Sequence, residues 1–413
     1  MKENQKLTPS LDRVNKGALC AGCGGCALIA PGKIEMKLSP AGFLRPHQTQ
    51  PLSPAQDRAI AEICPGLGQT VQPGHRTDDS LWGPYESMQT GWAIDPDLRH
   101  TASSGGGLSA LLVHLLETDQ VDGVVQTAAD PDRAVANIAV LSCTARDVSK
   151  AAGSRYAPSA PLADLEQYLD GTLRLAFVGK PCDVAALRER AKSDPRIDAR
   201  FTIMISFFCA GVPSLSGADA VITALDADPD QVTAFRYRGM GWPGRATAQL
   251  ADGSERSMTY HDSWGGILSK HVQHRCKVCA DGTGKAADIV CADAWHSDDK
   301  GYPLFEEDDG ISLIVARTDK GQHVLDAAKA SGTLQTGPFD VADLAAMQPG
   351  QYGRRRALLA RLAGLWLLGR PIPRYRGLHL MAAARHNGLV GNLKNILGMA
   401  RRVVQGRVKD PWS

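Results

Sequence analysis

The sequence lacks the features that would place it in several common classes. No apolar run among its 413 residues reaches the ~18–20 residues of a transmembrane segment. The N-terminus, MKENQKLTPSLDRVNKGALC, has no apolar core, so no signal peptide is predicted and a cytoplasmic location is expected. The net charge is only +2, which gives no reason to expect a nucleic-acid partner.

Common catalytic signatures are also missing. The chain contains no GxGxxG fingerprint, P-loop, HExxH motif or recognisable catalytic triad. His296, beside Asp293 and Trp295, is the one candidate proton donor, and the sequence favours an exposed histidine without a chemical role there. No catalytic side chain is therefore assigned.

Cysteine is what the sequence has in unusual number. With 43% hydrophobic and 22% charged residues the chain is typical of a folded protein of two to three domains. A reducing compartment disfavours structural disulfides, so its ten cysteines indicate another use. Two of them, Cys143 and Cys291, lie in apolar segments and are expected to be core residues.

Four cysteines near the N-terminus have the spacing of an iron–sulfur site. The run Cys20-Ala-Gly-Cys23-Gly-Gly-Cys26 is followed at a distance by Cys64-Pro. The glycines of this run allow the backbone to approach a cluster closely. A structural zinc site is the alternative, but zinc sites usually pair C-x2-C knuckles, so successive x2 spacing favours [4Fe–4S].

Four further cysteines could form a second site. Cys182 and Cys209 each follow an apolar strand, and Cys276 and Cys279 form a C-x2-C pair on a polar loop. In a parallel sheet the first two would lie at the carboxyl edge, where crevices hold cofactors. The alternative is that Cys182 and Cys209 are small buried hydrophobes, and the spacing alone leaves both open.

Residues 92–345 alternate between apolar strands and helices. GGLSALLVHLLE has the apolar stripe of an amphipathic helix, and LRLAFV, FTIMISFFC, ADIVCADAW and GISLIVART are predicted strands. This pattern predicts an α/β fold with a mainly parallel, helix-covered sheet. QVTAFRYRG and RATAQLADG predict an antiparallel excursion, whereas the first 75 residues show little periodicity.

Two loops have the chemistry of a phosphate site. Ser103-Ser104-Gly105-Gly106-Gly107 directly precedes the amphipathic helix, whose N-terminus favours an anion. Gly153-Ser154-Arg155-Tyr156 offers an arginine and an aromatic ring. A plain serine N-cap and an ordinary solvated loop explain the same residues.

Taken together and in order, these motifs resemble a known family. The cysteine groups, HTASSGG, GSRYAPS, FVGKPCDVAAL, FFCAGVPS and DIVCADAW are similar to the coenzyme F420 hydrogenase/dehydrogenase beta subunits, over about residues 15–330. That family includes 7-hydroxymethyl chlorophyll a reductase and ferredoxin-type divinyl chlorophyllide 8-vinyl reductases. Its usual Gly-Asp-Ala-Trp is Ala-Asp-Ala-Trp here, at residues 292–295.

The resemblance implies a flavin-dependent iron–sulfur oxidoreductase. It implies FAD and one or two [4Fe–4S] clusters, held by these cysteines: Cys20, Cys23, Cys26, Cys64, Cys182, Cys209, Cys276 and Cys279. It implies that these residues bind the flavin: Ser103, Ser104, Gly105, Gly106, Ser154, Arg155, Tyr156, Lys180 and Asp293. The expected segments are 1–75 (ferredoxin-like, [4Fe–4S]), 76–345 (flavin-binding α/β domain with the second cysteine cluster) and 346–413 (basic and helical).

The substrate and partners stay open at this point. A deazaflavin, a tetrapyrrole and a sugar precursor are all compatible with a small-molecule substrate, and a homo-oligomer is compatible with the sequence. The rival interpretations are a non-catalytic electron-transfer subunit and a zinc-stapled binding protein without flavin.

The C-terminal segment is strongly basic, with 13 Lys or Arg against one acid from Gln351 onward. Three accounts remain open for it. It packs on the acidic body, lies on a membrane surface, or docks an acidic electron donor such as ferredoxin.

Overall fold

The computed structural model describes residues 7–295 and 308–412. His296 lies outside the described residues. The N-terminal segment has more regular structure than its weak periodicity indicates. It contains α1 (Pro9–Gly17), α2 (Gly25–Ile29), β1 (Ile34–Leu38), β2 (Leu44–Gln48), α3 (Pro54–Ile63), β3 (Gly68–Thr70), β4 (Thr77–Asp79) and β5 (Gly83–Tyr85).

Local capping explains one of these helices. Ser53 accepts a hydrogen bond from the Gln56 amide, and the Gln56 side chain accepts one from the Ser53 amide. This reciprocal capping box, with proline at the first helical position, starts α3 without a strong apolar stripe.

The central region alternates helices and strands as predicted. Its strands are β6 (Ser87–Ala93), β7 (Gly123–Ala129), β8 (Asn137–Ser142), β9 (Leu175–Val178), β10 (Phe201–Phe207), β11 (Val232–Arg236), β12 (Arg245–Leu250), β13 (Glu255–Thr259), β14 (Ile289–Ala294), β15 (Ile311–Ala316) and β16 (Leu334–Pro338). Its helices are α4 (Pro96–Thr101), α5 (Gly107–Glu117), α6 (Ala145–Ala151), α7 (Glu166–Leu169), α8 (Pro181–Ala191), α9 (Arg196–Arg200), α10 (Leu215–Ala224), α11 (His274–Lys277), α12 (Asp319–Ala330) and α13 (Leu344–Met347).

Eight strands form the main sheet, in the order β16-β6-β15-β14-β10-β9-β7-β8. The four strands β14, β10, β9 and β7 are parallel, while β15, β6 and β16 on one side and β8 on the other join by antiparallel ladders. The α/β class is confirmed. The sheet is mixed rather than mainly parallel, because antiparallel strands flank the parallel centre on both sides. The predicted antiparallel excursion is the separate sheet β11-β12-β13.

Both faces of the main sheet are buried. Successive residues of one strand enter different apolar clusters: Val125 and Leu313 pack in one, and their neighbours Val124 and Ile314 pack in the other. Side chains alternate between the faces of a strand, so a strand buried on both faces has the continuous apolar character seen in the sequence. The helix α5 covers one face through Leu111, Leu112 and Leu115.

The C-terminal segment folds back onto the N-terminal one. It contains α14 (Pro349–Trp366), β17 (Arg374–Arg376), α15 (Leu380–Arg385) and α16 (Gly388–Val404), and β17 pairs in parallel with β3. One apolar cluster joins Leu19 near the first cysteines, Val278 between Cys276 and Cys279, and Leu358 of α14. The three proposed segments therefore share core contacts, and their boundaries stay a prediction.

A buried ion pair reinforces this contact. Arg45 Nε lies 2.7 Å from Asp410 Oδ2, with 3% and 6% of the two side chains exposed. The only acid of the basic segment is thus paired in the interior. Within the described residues, no helix is both long and apolar enough to cross a bilayer.

Candidate functional site

A cavity of about 380 Å³ lies where the two predicted phosphate loops meet. The Ser103 hydroxyl accepts hydrogen bonds from the Ser154 amide at 2.9 Å and the Ser154 hydroxyl at 3.0 Å. The structure thus joins residues 51 positions apart in the chain. Except for Gly105, every residue predicted to bind flavin lines this cavity: Ser103, Ser104, Gly106, Ser154, Arg155, Tyr156, Lys180 and Asp293.

The turn before α5 requires its glycines. Gly105 and Gly106 have φ of +73° and +69°, which side-chain-bearing residues rarely adopt. A Cβ at Gly105 would come within 2.7 Å of the Gly310 carbonyl oxygen. Gly105 therefore shapes the turn by close packing, while the cavity is lined by its neighbours.

A buried ion pair that the sequence analysis missed holds the same turn. Arg238, 2% exposed, pairs with Asp293, and the Ser104 hydroxyl donates to the same carboxylate. The guanidinium also lies over the Tyr260 ring, 4.9 Å from its centroid. Asp293 thus fixes the cavity wall, and Arg238 compensates its charge.

Arg155 uses its side-chain donors in hydrogen bonds within the wall of the cavity. Its Nε donates to Asn137 Oδ1 at 2.9 Å and its Nη1 to the Phe235 carbonyl at 2.9 Å. Its Nη2 donates to the carbonyls of Ala134 and Ala136. These four bonds assign Arg155 chiefly to holding the GSRY loop against its neighbours.

Aromatic rings close one side of the cavity. Tyr156 lies 4.8 Å from Trp264 and 5.7 Å from Tyr237, measured between ring centroids. Trp295 also lines the cavity, and its buried Nε1 has no hydrogen-bond partner among the described residues. An unpartnered buried donor on a cavity wall suits a ligand with an acceptor atom.

Lys180 places a positive charge between the cavity and a cysteine. Its ammonium donates to the Ser159 hydroxyl at 2.7 Å and lies 2.8 Å from Asp183. Burial alone would lower the pKa of Lys180, but Asp183 and the Cys182 thiol outweigh it and the pKa is raised. The side chain stays cationic although it is only 7% exposed.

The first cysteine set, Cys20, Cys23, Cys26 and Cys64, converges as its spacing predicts. Burial raises the pKa of Cys64 to about 11, and the charge of Cys20 adds to the shift. Burial also raises the pKa of Cys26, with contributions from the other three members of the set. Burial and mutual repulsion oppose the ionisation of all four thiols, and a bound metal ion or cluster would supply the positive charge that offsets both effects.

The second cysteine set, Cys182, Cys209, Cys276 and Cys279, also comes together. Burial raises the pKa of Cys209 to about 12, and the charges of Cys276 and Cys279 contribute. The Cys182 pKa is raised by burial and by Asp183 and Cys209. Cys209 lines the cavity, so this set adjoins the predicted flavin site.

The two sets are neighbours in space. The Cys23 thiol contributes to the raised pKa of Cys182, and Asp183 beside Cys182 contributes to that of Cys23. The two sets therefore lie close enough to interact electrostatically, and the second set reaches the cavity through Cys209.

The spacing of the sulfur atoms bears on the metal. Among the described residues, no three cysteine sulfurs lie within 4.8 Å of one another. Tetrahedral zinc with Zn–S bonds of about 2.3 Å would bring its thiolates to about 3.8 Å apart. The described cysteines are therefore not arranged as a preformed tetrahedral zinc site.

Arg275 is the buried cation between the two sets. It is 2% exposed, and its Nη2 donates to the Pro65 carbonyl at 2.6 Å, next to Cys64. Burial alone would lower its pKa, but Tyr375 and the thiols of the second set raise it. Its Nε and Nη1 have no partner among the described residues, which fits an anionic group held there by the cysteines.

Residues outside the cysteine motifs organise the second set. The Cys209 carbonyl accepts hydrogen bonds from Gln351 Nε2 at 2.9 Å and Arg354 Nη1 at 3.2 Å, both on α14. Gln273 Nε2 lies 3.4 Å from Cys276 Sγ and from the Ala21 carbonyl of the first set. The order of motifs along the chain contains no signal for these contacts.

The two remaining cysteines, Cys143 and Cys291, differ in burial. Cys291 is 5% exposed in the core, as predicted. The same prediction for Cys143 is wrong, because the residue is exposed just beyond the end of β8. None of the ten cysteines forms a disulfide.

Two cysteine sets beside a cavity on a mixed α/β sheet are compatible with a redox protein. Two family models match the chain: the coenzyme F420 hydrogenase/dehydrogenase beta subunit N-terminal region over residues 88–166 and its C-terminal region over residues 172–342. The chain belongs to this family. The first cysteine set precedes the matched range, and α14–α16 follow it.

Known relatives agree with this assignment. The chain is 25% identical over 271 residues to the coenzyme F420 hydrogenase subunit beta of Methanococcus voltae, covering 63% of this chain and 86% of that protein. It is 26% identical over 247 residues to the F420-dependent formate dehydrogenase 1 subunit beta of Methanococcus maripaludis, covering 59% of each.

A solved structure supports the fold. A chain of the F420-reducing [NiFe] hydrogenase complex from Methanosarcina barkeri superposes with a TM-score of 0.53 and 21% identity. The match covers 69% of this chain and 95% of that one.

Proposed function

We propose that the protein is an iron–sulfur flavoprotein that passes electrons between two [4Fe–4S] clusters, FAD and a small-molecule substrate. The observation that carries the proposal is the proximity of the two cysteine sets to each other and to the cavity, through Cys23, Cys182 and Cys209. Such clusters exchange single electrons, and FAD can take up electrons one at a time and pass them on as a pair, which is the chemistry these groups would supply when bound.

The chain's own residues would provide the ligands of both clusters and a positive charge beside them. Cys20, Cys23, Cys26 and Cys64 would ligate one cluster, and Cys182, Cys209, Cys276 and Cys279 the other. Arg275 offers its unpartnered donors to both sets and offsets their negative charge. Because burial weakens solvent screening, a single guanidinium there acts on both sites.

At the cavity, polar groups and rings suit the two halves of FAD. The hydroxyls of Ser103 and Ser154 and the start of α5 suit the pyrophosphate, while the rings of Tyr156 and Trp264 offer stacking surfaces. Lys180 lies between Cys182 and the cavity, where its charge would stabilise electrons arriving from the second set.

A second candidate function is electron transfer without catalysis. The named relatives are subunits of hydrogenase and formate dehydrogenase, which favours a role inside a larger complex. In that case the substrate of the complex would be converted on another chain.

The composition and turnover of the isolated protein test the proposal. Protein purified without oxygen is expected to be brown-yellow, with about eight iron atoms and one FAD per chain. Iron and flavin analysis measures this, and a colourless protein would refute both redox functions. Reduction of candidate substrates with an artificial electron donor, in the absence of other chains, separates the enzyme from the relay subunit.

We also propose that an acidic redox protein such as ferredoxin delivers electrons at a cationic cavity. This cavity, of about 460 Å³, adjoins Cys276 through its wall residues Gln273, His274 and Lys277. The Lys and Arg residues of its wall are Lys270, Lys277, Arg402, Arg407 and Lys409. Within the part of the chain described, no carboxylate lines this cavity. Complementary charge of this kind chiefly raises the rate of encounter.

Salt dependence is the expected signature of this docking. Exposed charges are screened beyond a Debye length of roughly 10 Å at 0.1 M salt, so reduction by ferredoxin should slow about tenfold between 0.02 and 0.5 M salt. The double reversal R402E/R407E should cause a similar loss at low salt. Stopped-flow absorbance measures the rate, with R58E/R256E as a matched reversal of exposed arginines elsewhere. A salt-independent rate, unchanged by R402E/R407E, would exclude docking at this cavity.

A further inference from the structure

The helix α16 presents an exposed apolar stripe. Leu389 is 90% exposed, Leu393 57%, Leu397 60% and Val404 79%. At about 100° per residue, the three leucines fall within about 80° of one another and Val404 lies between them. Large exposed apolar side chains gathered on one side of a helix mark a surface that contacts something else.

The other side of α16 is already in use. Met399 is buried in the cluster formed with α14, and a Cβ at Gly364 of α14 would lie 2.6 Å from the Ile396 carbonyl oxygen. The leucine stripe is therefore not the face that holds the helix on the protein. It remains exposed after the fold is complete.

Neighbouring segments also carry exposed apolar side chains. Trp366, 66% exposed, and Leu367, 61% exposed, end the helix α14 on which α16 packs. Met381 of α15, just before α16 in the chain, is 69% exposed. Exposed tryptophan and leucine beside an amphipathic helix are typical of segments that lie at a lipid–water interface.

The charge of this region has one sign. Lys394 and Arg401 are exposed and lie within about 60° of Leu397 around α16. The single acid of the segment is Asp410, whose side chain is only 6% exposed and is paired with Arg45. The surface around the stripe therefore offers apolar and cationic groups together, which complements an anionic lipid headgroup layer above an acyl region.

We propose that α16 is an interfacial anchor that binds anionic bilayers. The helix would lie in the plane of the membrane, with its leucine stripe below the headgroups and Lys394 and Arg401 among the phosphates. Arg402 projects about half a turn from Leu393, on the side of the cationic cavity, so lipid binding and donor docking use different faces. This inference stands independently of the cofactors.

Flotation with lipid vesicles tests the proposal on the full-length protein. Vesicles of phosphatidylglycerol and phosphatidylcholine in equal parts should bind the protein at least tenfold more strongly than phosphatidylcholine alone. The variant L389S/L393S/L397S should lose at least tenfold in binding to the anionic vesicles. The matched control L38S/I94S/L173S removes three exposed apolar side chains elsewhere and should bind normally.

Charge-reversal variants and a measurement of self-association complete this experiment. The reversal K394E/R401E should abolish the preference for anionic vesicles, whereas R58E/R256E should retain it. Far-UV circular dichroism and the melting temperature verify that each variant is folded. Equal binding by L389S/L393S/L397S and the wild type overturns the proposal. A second result would also overturn the proposal: the wild-type protein does not bind vesicles but forms a dimer, and L389S/L393S/L397S is monomeric. The stripe would then be the contact between two copies of the chain.

Discussion

Replacing Cys276 with serine is expected to leave about four of about eight iron atoms and to slow ferredoxin-dependent turnover at least ~100-fold. Serine does not ionise readily, so the second set would keep only three thiolate ligands. Cys276 also accepts contacts from the Val212 amide and from Gln273 Nε2, both at 3.4 Å, which hold its sulfur in place. Iron analysis and electron paramagnetic resonance measure the loss.

Two further variants control this experiment. Cys23→Ser should remove the other four iron atoms, and its spectrum should retain the signal that Cys276→Ser loses. Cys143→Ser, at an exposed cysteine outside both sets, should keep full iron content and activity. Full iron and an unchanged spectrum in Cys276→Ser would show that the second cysteine set holds no cluster.

Filling the cavity at Ser154 is expected to lower FAD affinity at least about tenfold while both clusters are retained. A tyrosine there would occupy space beside Ser103 and remove the hydroxyl contact that joins the two loops. Ser154 is a better position than Gly106, because the φ of +69° at Gly106 makes any side chain there strain the backbone.

Fluorescence titration of the deflavinated protein measures this affinity. Ser257→Tyr, at an exposed strand position in β13, is the matched control and should bind FAD as the wild type does. Normal affinity in Ser154→Tyr would place the flavin in another part of the molecule, and lost iron would indicate a general folding defect.

The elements with strong local signals were predicted well. The helix α5 and the strands β9, β10, β14 and β15 occur where periodicity placed them, and the basic segment is mostly helical as expected. Their apolar patterns reflect burial on one or both faces, which is readable residue by residue. Weakly apolar β6, with the sequence SMQTGWA, was missed, and it lies between β15 and β16 in antiparallel ladders.

The basic segment shows that the charge of a residue does not predict whether it is buried or exposed. Arg355 is 6% exposed and donates to the backbone carbonyls of Leu81 and Leu378, whereas Arg401 is exposed. The segment packs on the body, as one of the three accounts predicted, and it still presents an apolar stripe. Whether an arginine is buried depends on which carbonyls the fold brings to it.

The sequence by itself determined the first cysteine set, because C-x2-C-x2-C spacing brings three thiols together within one loop. It also determined the helix and both loops that border the cavity. Only the tertiary structure decided that Cys182, Cys209 and the Cys276–Cys279 pair meet, that they adjoin Cys23, and that Arg275 lies between the sets. These contacts join residues up to about 250 positions apart, and no local periodicity records them, since they arise from strand order and helix packing.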